Sequence, residues 1–139
     1  MTLIRLTDWD RRLTGVTEKH IGLPMVWGES DCLLTVADAI EAITGKDFAE
    51  KIRGTYSDEQ GAARAMRRRK CATVEDVLAR RFPETGRFSA MRGDVGIVEI
   101  EGVITAGYVT EYGFAVRGES GLQFLPLTQI KRAFAIGER

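Results

Sequence analysis

An α+β fold with segregated halves follows from three features of this sequence of 139 residues. In the first half, apolar side chains recur every three or four positions, the period of an amphipathic helix. From Gly93 onward they alternate, the period of a strand. Glycines and the prolines Pro24, Pro83 and Pro126 fall where elements should begin or end.

The spacing predicts a first helix capped by Thr7, with Asp10 three positions on, running to about His20 and stopping before Gly22 and Pro24. Trp9, Leu13, Val16 and His20 mark its inner stripe. Ser30 is placed to cap a second helix, with Leu33, Val36, Ala37, Ile40 and Ile43 facing inward and Gly45 at the C-terminal cap. Ser57 with Gln60, and Thr73 with Asp76, read as capping boxes opening two shorter peripheral helices. Val95 to Ile100 then alternates up to a turn at Glu101-Gly102, and Val103 to Val109 returns as the second arm of a hairpin. Phe114 to Val116, Leu122 to Leu125 and Ala133 to Ile136 complete an antiparallel sheet of about four or five strands. One domain spanning 1–139 is expected, with the helical half packed on the sheet.

Composition removes several classes of function. Lysine plus arginine number 20 and aspartate plus glutamate number 20, so no global field favours nucleic acid or an anionic membrane. No apolar run approaches the roughly 18 to 20 residues of a spanning helix, and the opening MTLIRLTDWDRR has no signal-peptide core, so a soluble cytosolic product is expected. Two cysteines and one histidine are too few for a structural zinc site or a disulfide framework. Neither metal nor cofactor is expected.

The segment from Pro24 to Cys32 runs out of a loop into the strongest helix and places Cys32 in its first turn. Unpaired N–H groups there favour thiolate over thiol, which makes Cys32 the candidate nucleophile. Cys32 also shares a helix face with Val36, Ala39 and Ile43, so the plain alternative is a small buried apolar residue. Cys71 follows the run Arg67-Arg68-Arg69-Lys70 with nothing nearby to activate it, and the run itself suits a solvated helix end. His20, the sole histidine, could serve Cys32 as a base only if the first helix folds over the cleft; otherwise it is a surface or capping residue.

Taken in order, Trp27-Gly28, Asp31-Cys32, Thr44-Gly45-Lys46-Asp47, Arg53-Gly54-Thr55-Tyr56, Arg92-Gly93-Asp94-Val95 and Leu125-Pro126-Leu127 resemble a family of small proteins encoded in tailed phages and prophages. That family is similar in turn to the NlpC-type, papain-like cysteine peptidases that cut peptidoglycan. The resemblance implies a papain-like (NlpC-like) fold, with Cys32 at the nucleophile position and Gly93-Asp94 opening the sheet. It also implies that parts of the machinery are absent. Thr105-Ala106-Gly107 stands where the enzymes carry histidine-x-glycine, Met25 where a tyrosine supports the oxyanion hole, and Leu33 where serine follows the nucleophile. No downstream histidine remains to orient a base.

The leading expectation is therefore a structural or assembly protein of a phage tail, at the tip or baseplate, with a degenerate peptidase-like fold. Its partners would be other tail proteins, with no membrane or nucleic acid involved, in the virion tail or in the host cytoplasm during assembly. Trp27, Tyr108, Tyr112, Phe114 and Phe124 could supply aromatic anchors for such contacts. The alternative is an active cysteine hydrolase acting on peptidoglycan or a tail protein, with Cys32 as nucleophile and Asp31 or Asp94 as orienting groups, although a carboxylate beside a thiolate raises its pKa. A nucleic-acid module on Arg64 and Arg67 to Lys70 is disfavoured by the even charge balance.

Overall fold

The computed structural model describes residues 3–138. Four α-helices, α1 (Trp9–Ile21), α2 (Cys32–Thr44), α3 (Glu59–Arg68) and α4 (Val74–Arg81), precede all six strands of an antiparallel sheet. Its strands are β1 (Glu84–Thr85), β2 (Val95–Ile100), β3 (Val103–Thr110), β4 (Gly113–Arg117), β5 (Leu122–Leu125) and β6 (Arg132–Phe134), in the spatial order β1-β6-β2-β3-β4-β5. The α+β class is as expected, but the sheet is one strand wider than the largest sheet expected. Strand β1 pairs only Glu84 with Phe134 and Thr85 with Ala133, too short a run to leave a periodic signal.

The β2–β3 hairpin turns at Glu101-Gly102, where both residues take positive φ, 50° and 81°, as a two-residue turn matched to strand twist requires. Helix α2 is the hub. Leu34, Val36, Ala37, Ala39, Ile40 and Ile43 are fully buried because α1, β3 and β4 all pack against it. Its N-cap is Asp31 rather than Ser30. The Ser30 hydroxyl instead donates to Pro24 O (2.7 Å) and accepts from Val26 N (3.0 Å), which closes the preceding loop and leaves the cap to its neighbour. The same one-residue displacement recurs at α3, capped by Asp58, and at α1, where Asp8 flanks the helix and its carboxylate bonds Arg12 instead of an amide. The capping box of Thr73 and Asp76 forms as expected, and Gly45 closes α2 at φ 77°.

Both faces of the central strands are covered. One face meets α2 through Ile97, Ala106, Tyr108 and Ala115. The other carries a second cluster of Val98, Val109, Phe114, Val116, Ile130 and Ala133, so β2 is buried on both sides.

At the start of β2 the buried carboxylate of Asp94 ties the chain ends together. It accepts from Arg5 Nη2 (3.1 Å), Ile136 N (3.1 Å) and Met91 N (2.9 Å). Arg5 in turn donates to Ile136 O and Arg92 O and lies 4.3 Å over the Trp9 ring. A Cβ on Gly93, at φ 95°, would stand 2.9 Å from Arg5 Nη1 and 3.0 Å from Ile43 Cδ1, so the Gly-Asp pair is a requirement of this junction.

Candidate functional site

Cys32 is the first residue of α2, as the sequence suggests, but its surroundings reverse the expected electrostatics. Trp27, Ile52, Tyr56, Ala62, Met66 and Val74 crowd around it and leave a cavity of about 40 Å³. That is room for about one or two waters, whereas pockets that bind ligands usually measure about 300 Å³ or more. Burial pushes the thiol up to about 11, and the adjacent Asp31 carboxylate adds to the rise. The Ala106 N–H and the first amides of α2 favour thiolate but are outweighed. A helix N-terminus lowers a thiol pKa only where desolvation is smaller than the field of its amides, and here it is larger.

The motifs flanking Cys32 hold one another. Asp31 accepts from Leu34 N (3.0 Å), Gly28 N (3.0 Å) and Tyr56 Oη (2.6 Å), so its carboxylate is engaged in capping the helix and pinning the loop rather than orienting a base. Burial, with the bond and charge of Asp31, holds the Tyr56 phenol well above its usual range. Gly54 N donates to Gly28 O (2.9 Å), and a Cβ on Gly28 would fall 2.0 Å from Tyr56 O. The close crossing of these two segments therefore demands glycine at position 28.

His20 lies elsewhere and is neither at the surface nor a cap. It is buried, with Nε2 2.7 Å from Asp38 Oδ2 and Nδ1 against the Arg117 guanidinium. A guanidinium only donates, so Nδ1 accepts and Nε2 carries the hydrogen that Asp38 receives. Both ring nitrogens are thereby committed, leaving neither for Cys32. Arg117 also donates to Leu23 O (2.6 Å), His20 O (3.1 Å) and Thr35 Oγ1 (3.2 Å from Nε), joining β4 to α1 and α2. Asp38 continues the chain to Arg53 (2.7 Å), which pairs with Asp47 (2.7 Å). Burial pushes the Asp38 carboxyl up, but the His20 hydrogen bond and the Arg53 charge prevail and hold it below the usual range. Sequence reasoning missed Arg117, Asp38 and Arg53. The available signal is register: Arg117 lies two residues after Ala115 and so shares the strand face that meets α2.

Thr105, which the resemblance sets at the position of a histidine, is cross-strand from Val98 and lies on the sheet face of the second cluster. Ala106 is the residue that faces α2, so a histidine at 105 would point away from the Cys32 thiol. Asp94 is engaged at the chain-end junction. Among the described residues, no three His, Cys, Asp or Glu side chains converge as metal ligands.

The expected aromatic anchors divide. Tyr108 is fully buried, its hydroxyl 2.9 Å from Thr17 Oγ1, and Phe114 is fully buried where its ring packs on Gly107; both are core because each sheet face is covered. Trp27 and Phe124 are half-buried. Tyr112 is 67% exposed, edge-on to Phe124 at 5.7 Å, beside a cleft of about 400 Å³ that also meets Leu13, Ile21 and Arg92.

No curated protein matches the chain. A family model does: residues 4–136, from the segment bearing Arg5 to the Ile136 amide that Asp94 holds, match the one described as a domain of unknown function, DUF6950, and the chain belongs to that family.

Proposed function

We propose that this domain is a structural or assembly component of a phage tail, at the tip or baseplate, built on a papain-like fold whose thiol no longer performs chemistry. The fold assignment is supported by a cysteine in the first turn of α2, packed against the hairpin that Gly93-Asp94 opens. The tail assignment rests on the ordered motifs from Trp27 to Leu127. Its partners are other tail proteins, met in the virion tail or in the host cytoplasm during assembly.

One observation carries the non-catalytic reading: Cys32 sits in a cavity too small for a peptide, with its thiol pushed up to about 11 and the sole histidine bound to Asp38 and Arg117. A thiol held that far above its usual range is protonated at pH 7. Acyl transfer also needs a base within reach, a group to orient it and donors for the oxyanion, and neither Thr105 nor Met25 supplies them.

The test is alkylation of the folded protein with iodoacetamide at pH 6, read by mass spectrometry, together with incorporation of Cys32→Ala into tail particles. The expected result is an unlabelled Cys32 and normal incorporation. Rapid labelling at pH 6, or cleavage of peptidoglycan or a tail protein that Cys32→Ala abolishes, would establish the active hydrolase instead.

A further inference from the structure

A second feature of the surface is a groove of about 610 Å³ bordered by α3, α4 and the loop from Asp47 to Ile52. Phe48, Ile52, Met66 and Val77 give it an apolar floor, and Lys51 and Arg81 stand on its rim. Residues 59–81 carry seven cations against three carboxylates, in a chain whose 20 cations and 20 carboxylates balance overall. These cations, Arg64, the run Arg67 to Lys70, Arg80 and Arg81, are exposed, and among the described residues neither they nor Lys51 takes part in an ion pair. Arg5, Arg12, Arg53, Lys131 and Arg132, in contrast, are all paired.

Three of the nearby carboxylates are engaged in other tasks, while Glu50 lines the groove and Glu59 lies at the start of α3. Glu75 pairs with Arg132 at 2.7 Å, Asp76 closes the α4 capping box, and Asp47 holds Arg53. The seven cations are therefore only partly compensated by Glu50 and Glu59, and an anionic partner relieves the remaining repulsion. Part of the rim is already ordered. Arg80 folds back to donate to Arg69 O (2.9 Å) and Lys70 O, and Arg69 donates to Ala65 O (2.9 Å). Side chains held in place before binding lose less entropy on binding.

We propose that this groove docks an acidic segment of a partner protein, which sets an apolar side chain on the floor and its carboxylates on the cationic rim. The floor argues for protein over nucleic acid. Single-stranded nucleic acid uses exposed aromatic faces for stacking, whereas the Phe48 ring is already engaged edge-on with Phe82 at 5.7 Å. The proposal rests on the reading of this domain as a binding module and names the chemistry of one partner.

The full chain is titrated, by fluorescence anisotropy, with three labelled probes of equal charge: a peptide of about twelve residues interleaving Glu with Leu and Phe, an all-Glu peptide and a single-stranded oligonucleotide. The amphipathic peptide is expected to bind about tenfold more tightly than either other probe, because only it fills the floor. Raising salt from about 50 to 300 mM should weaken it. Lys51→Glu with Arg81→Glu, neither of which bonds the backbone, should weaken it by about tenfold or more. Arg11→Glu, an exposed charge reversal on α1, should leave it unchanged, and melting curves confirm folding of both variants. Equal or tighter binding of the oligonucleotide would overturn the proposal in favour of a nucleic-acid surface. Absence of peptide binding at about 100 μM would identify a solvated face. Neither outcome touches the Cys32 reading, which fails only through reactivity or cleavage.

Discussion

Two corners of α2, six residues apart, hold the two groups that a cysteine hydrolase would bring together, and they treat them in opposite ways. At Cys32, a half-buried residue, the thiol lies among Trp27, Tyr56 and Met66, and burial together with the Asp31 carboxylate keeps it protonated. At Asp38 a buried imidazole lies between a guanidinium and a carboxylate, and every polar atom of the ring is bonded. The first corner is quiet because its Asp31 carboxylate is engaged in capping the helix and disfavours thiolate. The second is rigid because its charges alternate, from Arg117 through Asp38 and Arg53 to Asp47. A thiol and an imidazole in one small domain therefore say little about chemistry until their partners are known.

The contrast makes its largest prediction for stability. Arg117→Met removes the donors to Leu23 O, His20 O and Thr35 Oγ1 and leaves buried acceptors unsatisfied, which should cost about 3–5 kcal/mol. Cys32→Ala removes one sulfur from a cavity that already exists and should cost about 1 kcal/mol. Urea unfolding of both variants orders them. A Cys32→Ala loss equal to that of Arg117→Met would break the comparison.

Much of the frame needed to place these corners is legible in the sequence. The α2 stripe ending at Gly45, the Thr73 capping box and the Glu101-Gly102 hairpin are local features whose geometry follows from the residues themselves. What is not legible depends on distant partners. Ser30 and Asp31 are equally good caps in isolation, and the choice falls to Asp31 only because Pro24 O captures the Ser30 hydroxyl. Alternation places Tyr108 and Val109 on opposite faces of β3 but cannot say that both faces are covered. The first turn of α2 marks Cys32 as activated until α3 and the loop at Tyr56 are folded over it.

A smaller effect separates the corners by pH. The folded Asp38 carboxyl titrates below its unfolded value of about 3.9, so its stabilisation is complete above that value and is lost as pH falls through the folded pKa. Asp38→Asn cannot titrate, and its acid limb below about pH 4 should be shallower than that of the wild type. Cys32→Ala should keep the wild-type slope over the same range, because the thiol stays protonated there. Parallel acid limbs for Asp38→Asn and the wild type would show that the Asp38 corner draws no stability from its charge.

The smallest expected change in stability lies on the outer side of α1, the helix that His20 anchors. Arg117 clamps the end of that helix to β4, so the cleft between α1 and the β3–β4 turn keeps its shape through the same buried network. Tyr112 stands at this cleft with 67% of its surface in solvent and one edge-on contact to Phe124, so Tyr112→Ala should change the unfolding free energy by about 0.5 kcal/mol. Phe114→Ala, in the covered cluster, should lose about 3–5 kcal/mol instead. If the cleft is where a tail partner docks, Tyr112→Ala should weaken incorporation into particles by more than about 2 kcal/mol while the monomer melts normally. The rigid corner would then serve to hold an aromatic docking edge in place. Normal incorporation of Tyr112→Ala would separate the two, leaving the His20 network a purely internal strut and moving the proposed tail contact to another face.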